Sequence, residues 1–119
     1  VVNPQAEWER WEVWQTPNVC RESWEHIHKT LKGPDLGVGN GPSQLENEWQ
    51  GEEAAKIIVE LHRSPEIYPA RELYRMWPGP NSNTIIQWIL NSAGIPHKLG
   101  LRGIGAGFVQ FLPPPRNVD

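Results

Sequence analysis

The run Trp77-Pro78-Gly79-Pro80-Asn81-Ser82-Asn83-Thr84 constrains this chain more than any other stretch. Proline fixes φ and lacks an N–H, and the residue before a proline is pushed out of the helical region, so the approach must be extended and stiff. The next residues, Ile85-Ile86-Gln87-Trp88-Ile89-Leu90, are apolar around nearly the whole circumference of a helix. That pattern predicts a buried helix over 83–93, stopped by Gly94 with Pro96 beyond it. A buried helix must therefore begin at a polar tripeptide. Asn81 or Ser82 would serve there as N-cap, the commonest use of such residues. The same place, with free N–H groups and the positive end of the helix dipole, also suits an anion or a developing oxyanion.

A chain of 119 residues has room for one core. We read 1–119 as a single domain with an extended proline-rich tail from about 113. Seven tryptophans against two phenylalanines and two tyrosines mean that a few large rings must fill the core or wall a cleft. The net charge of −3 provides no general attraction for nucleic acid or anionic membrane. A single cysteine, Cys20, excludes an internal disulfide and any thiolate cluster, and without a neighbouring histidine in sequence it reads as an inert thiol. No run approaches the roughly 20 apolar residues of a membrane span, so no membrane partner is expected. Val1-Val2-Asn3-Pro4 does not read as a signal peptide. The lack of disulfides points to the cytoplasm, with secretion after removal of a leader the alternative.

Residues 8–15 read as a strand, with Trp11 and Val13 on one face and Trp8 and Trp14 on the other, a two-sided aromatic pattern that predicts a central position. A second strand is predicted over 23–31, where Trp24, His26, His28 and Thr30 alternate with Glu25, Ile27, Lys29 and Leu31. That alternation puts both imidazoles on one face, about 7 Å apart at Cα. Residues 32–43 are glycine- and proline-rich and predict a surface loop. Glu52 and Glu53 open an amphipathic helix over 51–63, ended by Ser64-Pro65. A short helix is expected over 70–74, and an edge strand over 108–112. The fold class expected is α+β, a small antiparallel sheet packed against two or three helices.

Three functions fit these residues, beside a purely structural role in which His26 and His28 are hydrogen-bonded under the glycine-rich loop. For metal binding, His26 and His28 would need further ligands, and Glu25, Asp35, His62 and His97 have no diagnostic spacing, so neither a metal site nor a cofactor is expected. A catalytic reading takes Ser82 at the helix start as nucleophile and His26 or His28 as base, with Trp77, Asn81 and Asn83 binding substrate under the 32–43 loop. That is the spatial plan of papain-like enzymes. A third reading is a non-catalytic module using its tryptophans to grip a small molecule such as a sugar, a peptide or a base.

The strings Trp8-Glu9-Arg10-Trp11-Glu12-Val13, His26-Ile27-His28, Glu48-Trp49-Gln50-Gly51-Glu52-Glu53 and Tyr74-Arg75-Met76-Trp77, running on into Pro78 to Thr84, resemble a family of bacterial and fungal proteins whose hallmark is the last string. The chain is similar, more distantly, to circularly permuted papain-like hydrolases and acyltransferases, in which a histidine strand precedes the nucleophile helix. That resemblance implies a hydrolase or acyltransferase-like domain, with Ser82 or Asn81 near the nucleophile position in place of cysteine. A shorter likeness is that of Glu53-Ala54-Ala55-Lys56 to the Glu-Ala-Ala-Arg helix of ribosome-inactivating adenine glycosidases. It implies an RNA substrate, with Glu53 catalytic, Tyr68 and Tyr74 stacking a base and Arg75 meeting phosphate.

Overall fold

The computed structural model describes residues 1–33, 36, 37, 45–100 and 103–116. It has a three-stranded antiparallel sheet of β1 (Trp11–Val13), β2 (Glu22–Trp24) and β3 (Ile27–Lys29), then α1 (Gly51–Ile67), α2 (Ser82–Ser92) and a final 3-10 helix (Ala106–Phe111). This is the expected α+β class. Val13 and Ile27 from the sheet, Leu61 and Ile67 from α1, and Ile85, Trp88 and Ile89 from α2 share one core, into which Tyr68 inserts.

Helix α2 is sealed at both ends. Its N-cap is Asn81, whose side chain accepts from the Asn83 and Thr84 amides while the Thr84 hydroxyl accepts from the Asn81 N–H at 2.9 Å, a reciprocal capping box. At the other end Ile95 N–H reaches Leu90 O at 2.9 Å and Gly94 N–H reaches Asn91 O at 3.1 Å, with Gly94 at φ 72°. This is the Schellman arrangement, and both Leu90 and Ile95 are buried beneath it. The approach to α2 carries two cis peptide bonds, Trp77-Pro78 and Gly79-Pro80.

The structure corrects five expectations. The strand predicted over 23–31 is a hairpin, because the backbone reverses at Glu25, held at φ 55° by Asn18, which accepts from Glu25 N–H at 3.1 Å and donates its own N–H to Glu25 O at 2.8 Å. The central strand is β3, not the 8–15 segment, because that hairpin lays β3 between β1 and β2. Pro65 does not end α1, which runs on to Ile67. Proline cannot donate to Leu61 O, but the Ser64 hydroxyl does so at 2.7 Å, and Tyr68 N–H closes the turn on Ser64 O at 2.9 Å. Residues 70–74 form no helix, only a turn closed by Leu73 N–H on Ala70 O. Residues 108–112 are not a strand. Gly105, at φ 93°, starts a 3-10 helix whose three-residue repeat stacks Ala106, Val109 and Leu112 toward the core.

Residues 113–116 carry no regular element, and Arg116 is fastened there by its N–H to Ile67 O and its guanidinium to Glu72, each at 2.9 Å. The remainder of the predicted tail lies outside the described residues.

Candidate functional site

Register decides which side chains meet. Across the sheet Glu12 pairs with His28 and His28 with Ser23, while Val13 pairs with Ile27 and Ile27 with Trp24. Alternation then places Glu12, His28 and Ser23 in one row on one face, and Trp11, Val13, Trp24 and Ile27 on the other. The second face belongs to the core and to a stack of Trp11 on Trp24, with centroids 5.6 Å apart. The first is covered by the loop leading to β2, which brings Thr16 and Cys20 over His28.

His28 is fully buried, with its Nδ1 2.8 Å from Ser23 Oγ and its Nε2 3.0 Å from the Thr16 carbonyl oxygen. A carbonyl can only accept, so the neutral imidazole must carry its proton on Nε2. Nδ1 is then an acceptor, and it shares the single Ser23 hydroxyl proton with the Cys20 carbonyl oxygen, 2.9 Å from the same Oγ. Burial lowers the His28 pKa against the opposing pull of the Thr16 carbonyl and the Glu12 carboxylate, which favours this neutral form. Cys20 joins the group, its Sγ 3.1 Å from Ser23 Oγ and 4.0 Å from His28 Nδ1. Glu12, opposite His28, makes an ion pair with Arg10 Nε at 3.3 Å, yet its buried Oε1 has no aligned hydrogen bond. A hydroxyl, an imidazole and a backbone carbonyl are thus joined in one chain at positions 23, 28 and 16.

The other residues expected in a site are dispersed. His26 lies in the turn after β2 rather than beside His28 on a strand; its Nδ1 meets Trp14 O at 2.8 Å and its ring stacks on Tyr74 at 5.8 Å. Ser82 is half-buried on the first turn of α2, and no hydrogen bond joins it to either imidazole. Asn81 has spent all its capacity: Oδ1 accepts from two helix amides, and Nδ2 donates to Met76 O at 2.9 Å and Ile104 O at 3.0 Å. Asn83 Nδ2 also donates to Ile104 O, at 2.9 Å. Tyr68 is a core residue packed edge-on against Trp88, where burial pushes its phenol pKa up. Trp77 is 75% exposed, and Glu53 and Arg75 are exposed as well. The loop expected as a roof falls largely on 34, 35 and 38–43, outside the described residues; in its described part Arg10 holds the carbonyls of Gly33, Leu36 and Gly37.

Ser23, Thr16 and Glu12 were not singled out by sequence reasoning. The signal available was the alternation that set His28 on a strand face apart from Ile27; its partners depend on the register that the Glu25 turn sets. Among the described residues no three His, Cys, Asp or Glu side chains converge as a metal site would require, and no helix is long and apolar enough to cross a membrane.

Comparison with known proteins places the site within a family. No curated protein and no solved structure matches the chain. A model of the DUF3750 family, described as proteins of unknown function, matches residues 2–108. That span takes in the sheet row, both long helices and the Asn81 capping box, and the chain belongs to the DUF3750 family.

Proposed function

We propose that this chain catalyses acyl transfer, as a hydrolase or acyltransferase, with Ser23 as nucleophile and His28 as base. The observation that carries the reading is the 2.8 Å contact from Ser23 Oγ to His28 Nδ1, in a ring whose other nitrogen is held by Thr16 O. In the first step Ser23 Oγ bonds to the acyl carbon while its proton passes to His28 Nδ1; the imidazolium then protonates the leaving group as the acyl bond breaks. Water or another acceptor reverses the sequence and releases the acyl group. Glu12, facing His28 across β1 and β3, favours the imidazolium formed on the way. Asn18, Glu25 and Thr30, at φ 53°, 55° and 64°, lie within a few residues of this group along the chain, and such backbone conformations gather at functional sites.

A second reading retains the papain-like plan with Ser82 as nucleophile. It is supported by the half-buried Ser82 hydroxyl on the first turn of α2, which donates to no other group among the described residues. One experiment separates the two. The protein is treated with p-nitrophenyl acetate and with a fluorophosphonate, and the modified residue is located by mass spectrometry. Modification at Ser23 that Ser23→Ala removes, with turnover falling by about a thousandfold or more, is the expected result. An adduct at Ser82 transfers the role to α2. A folded chain that takes no label and turns over no ester or amide defeats both.

A further inference from the structure

The run from Tyr74 to Thr84 contributes nothing to the group around Ser23 and His28, and part of it faces outward. Trp77 and Met76 are 75% and 70% exposed, and Phe111 and Ile104, from the other end of the chain, are 69% and 56% exposed. Contacts gather these residues around the start of α2. Asn81 Nδ2 donates to Met76 O at 2.9 Å and to Ile104 O at 3.0 Å, so one side chain ties the two segments together. Gly79 lies so close to Phe108 that an added Cβ would fall 3.0 Å from the Phe108 Cβ, and Phe108 meets Phe111 edge-on with centroids 5.6 Å apart. Large apolar side chains left exposed together mark a surface that meets a partner.

Charge narrows the partner. The net charge of −3 conceals an uneven distribution: every aspartate and glutamate except Asp119 precedes Leu73, while Arg75, Lys98, Arg102 and Arg116 follow it. Arg75 adjoins Met76, and Lys98 precedes the turn that Gly103 N–H closes on Gly100 O beside Ile104. Both are exposed, and neither side chain has a partner among the described residues. The acids near them are occupied, Glu72 by Arg71 and Arg116, and Glu46 by His97 and the Gly100 amide. Exposed apolar side chains flanked by unpaired cations complement a surface that is anionic outside and apolar beneath. Nucleic acid would match the cations, but Met76 and Ile104 present no ring on which a base could stack.

We propose that this patch seats the protein on an anionic lipid bilayer. Trp77, Met76, Ile104 and Phe111 enter the headgroup region, where an indole is well placed with its apolar body inward and its N–H toward water, and Arg75 and Lys98 meet lipid phosphates. Adsorption of this kind requires no spanning helix, and it depends on local charge in place of net charge. It shares no residue with the acyl-transfer reading and stands apart from it.

The test is cosedimentation of the full chain with vesicles of phosphatidylcholine alone and with vesicles containing an equal part of phosphatidylglycerol. The mixed vesicles should bind at least about tenfold more tightly, as two basic side chains at an anionic surface allow, and added salt should erase the difference. Trp77→Ser should weaken binding to the mixed vesicles by about tenfold or more, and Arg75→Glu should remove most of the preference for them. Trp8→Ser, which takes away a comparably exposed indole just before β1, should change neither. A folded, unaltered chain that binds neither vesicle, or binds both alike, overturns the proposal without recourse to any variant. Equal losses from Trp8→Ser and Trp77→Ser overturn it too. Tighter binding to single-stranded RNA than to the mixed vesicles would assign the patch to nucleic acid, and self-association that Trp77→Ser abolishes while vesicles stay unbound would assign it to a second copy; either result overturns it.

Discussion

Gly105 lies directly under Asn81: a Cβ on Gly105 would fall 2.2 Å from Asn81 Nδ2. The same glycine sits at φ 93°, where side chains are rarely tolerated. Gly105→Ala should therefore cost more than the roughly 1–3 kcal/mol of backbone strain alone, because the Asn81 hydrogen bonds to Met76 and Ile104 must also give way. Gly107→Ala, where an added Cβ meets nothing within 4 Å, should stay within about 0.5 kcal/mol in the same urea titration. Equal effects of the two substitutions would mean that Asn81 does not depend on this close approach.

Ser64 and Pro65 should be coupled. Ser64→Ala strands the Leu61 carbonyl in the core and should cost about 1–3 kcal/mol. In the Ser64→Ala, Pro65→Ala double variant the backbone N–H regained at position 65 can supply the missing bond, so the double loss should be smaller than the two single losses added together. Simple additivity in a double-mutant cycle would show that the Ser64 hydroxyl does not stand in for the amide.

How far these features were legible in the sequence depends on whether they are local. Helix α2, its cap at Asn81 and its stop at Gly94 depend on residues within a few positions of one another, and the sequence displays all three. The Glu25 reversal does not show, because glutamate is a poor resident of positive φ and is kept there by Asn18, seven positions away. Reading through that turn put His26 and His28 on one strand. Five apolar-rich residues at 108–112 fit a strand as well as a helix, and the deciding spacing of Ala106, Val109 and Leu112 begins before them. In the site, His28 was visible as a candidate base on a strand face, but Ser23 and Thr16 were not, since neither can be chosen until the register is known.

Acidification should unfold the protein in two stages. Burial depresses the His28 pKa below its ordinary 6.5, so the unfolded chain binds the proton more readily than the native one, and stability held above that value is eroded as pH falls below it. Glu9 adds a second stage. Burial would raise its pKa, but hydrogen bonds from Asn3, His62 and Trp11, with the charge of His62, together hold it at about 2 against 4.5 in the unfolded chain. Its contribution is complete above 4.5 and is lost as pH falls toward about 2. Glu9→Gln should flatten the lower stage, worth roughly 2 kcal/mol once solvent near half-exposed His62 is allowed for. Urea midpoints that are level from about pH 7 down to about pH 3 would contradict both assignments.

Ile89 is 5% exposed on the face of α2 that meets the sheet and α1. Ile89→Ala should cost about 2–5 kcal/mol, while Ile86→Ala on the 45% exposed side of the same helix should cost well under half as much. Equal losses would show that α2 is not held by one face.

The three paired rows of the sheet also bind its two faces together covalently. Trp11 is the chain neighbour of Glu12, and Trp24 that of Ser23, so the indole stack and the serine–histidine row hang on the same peptide units. A backbone shift at Trp11 carries Glu12 with it, and through the pairing of β1 with β3 it reaches His28. The imidazole resonances of His28 are thus a reporter, on one face of the sheet, for backbone changes that begin under the indoles on the other.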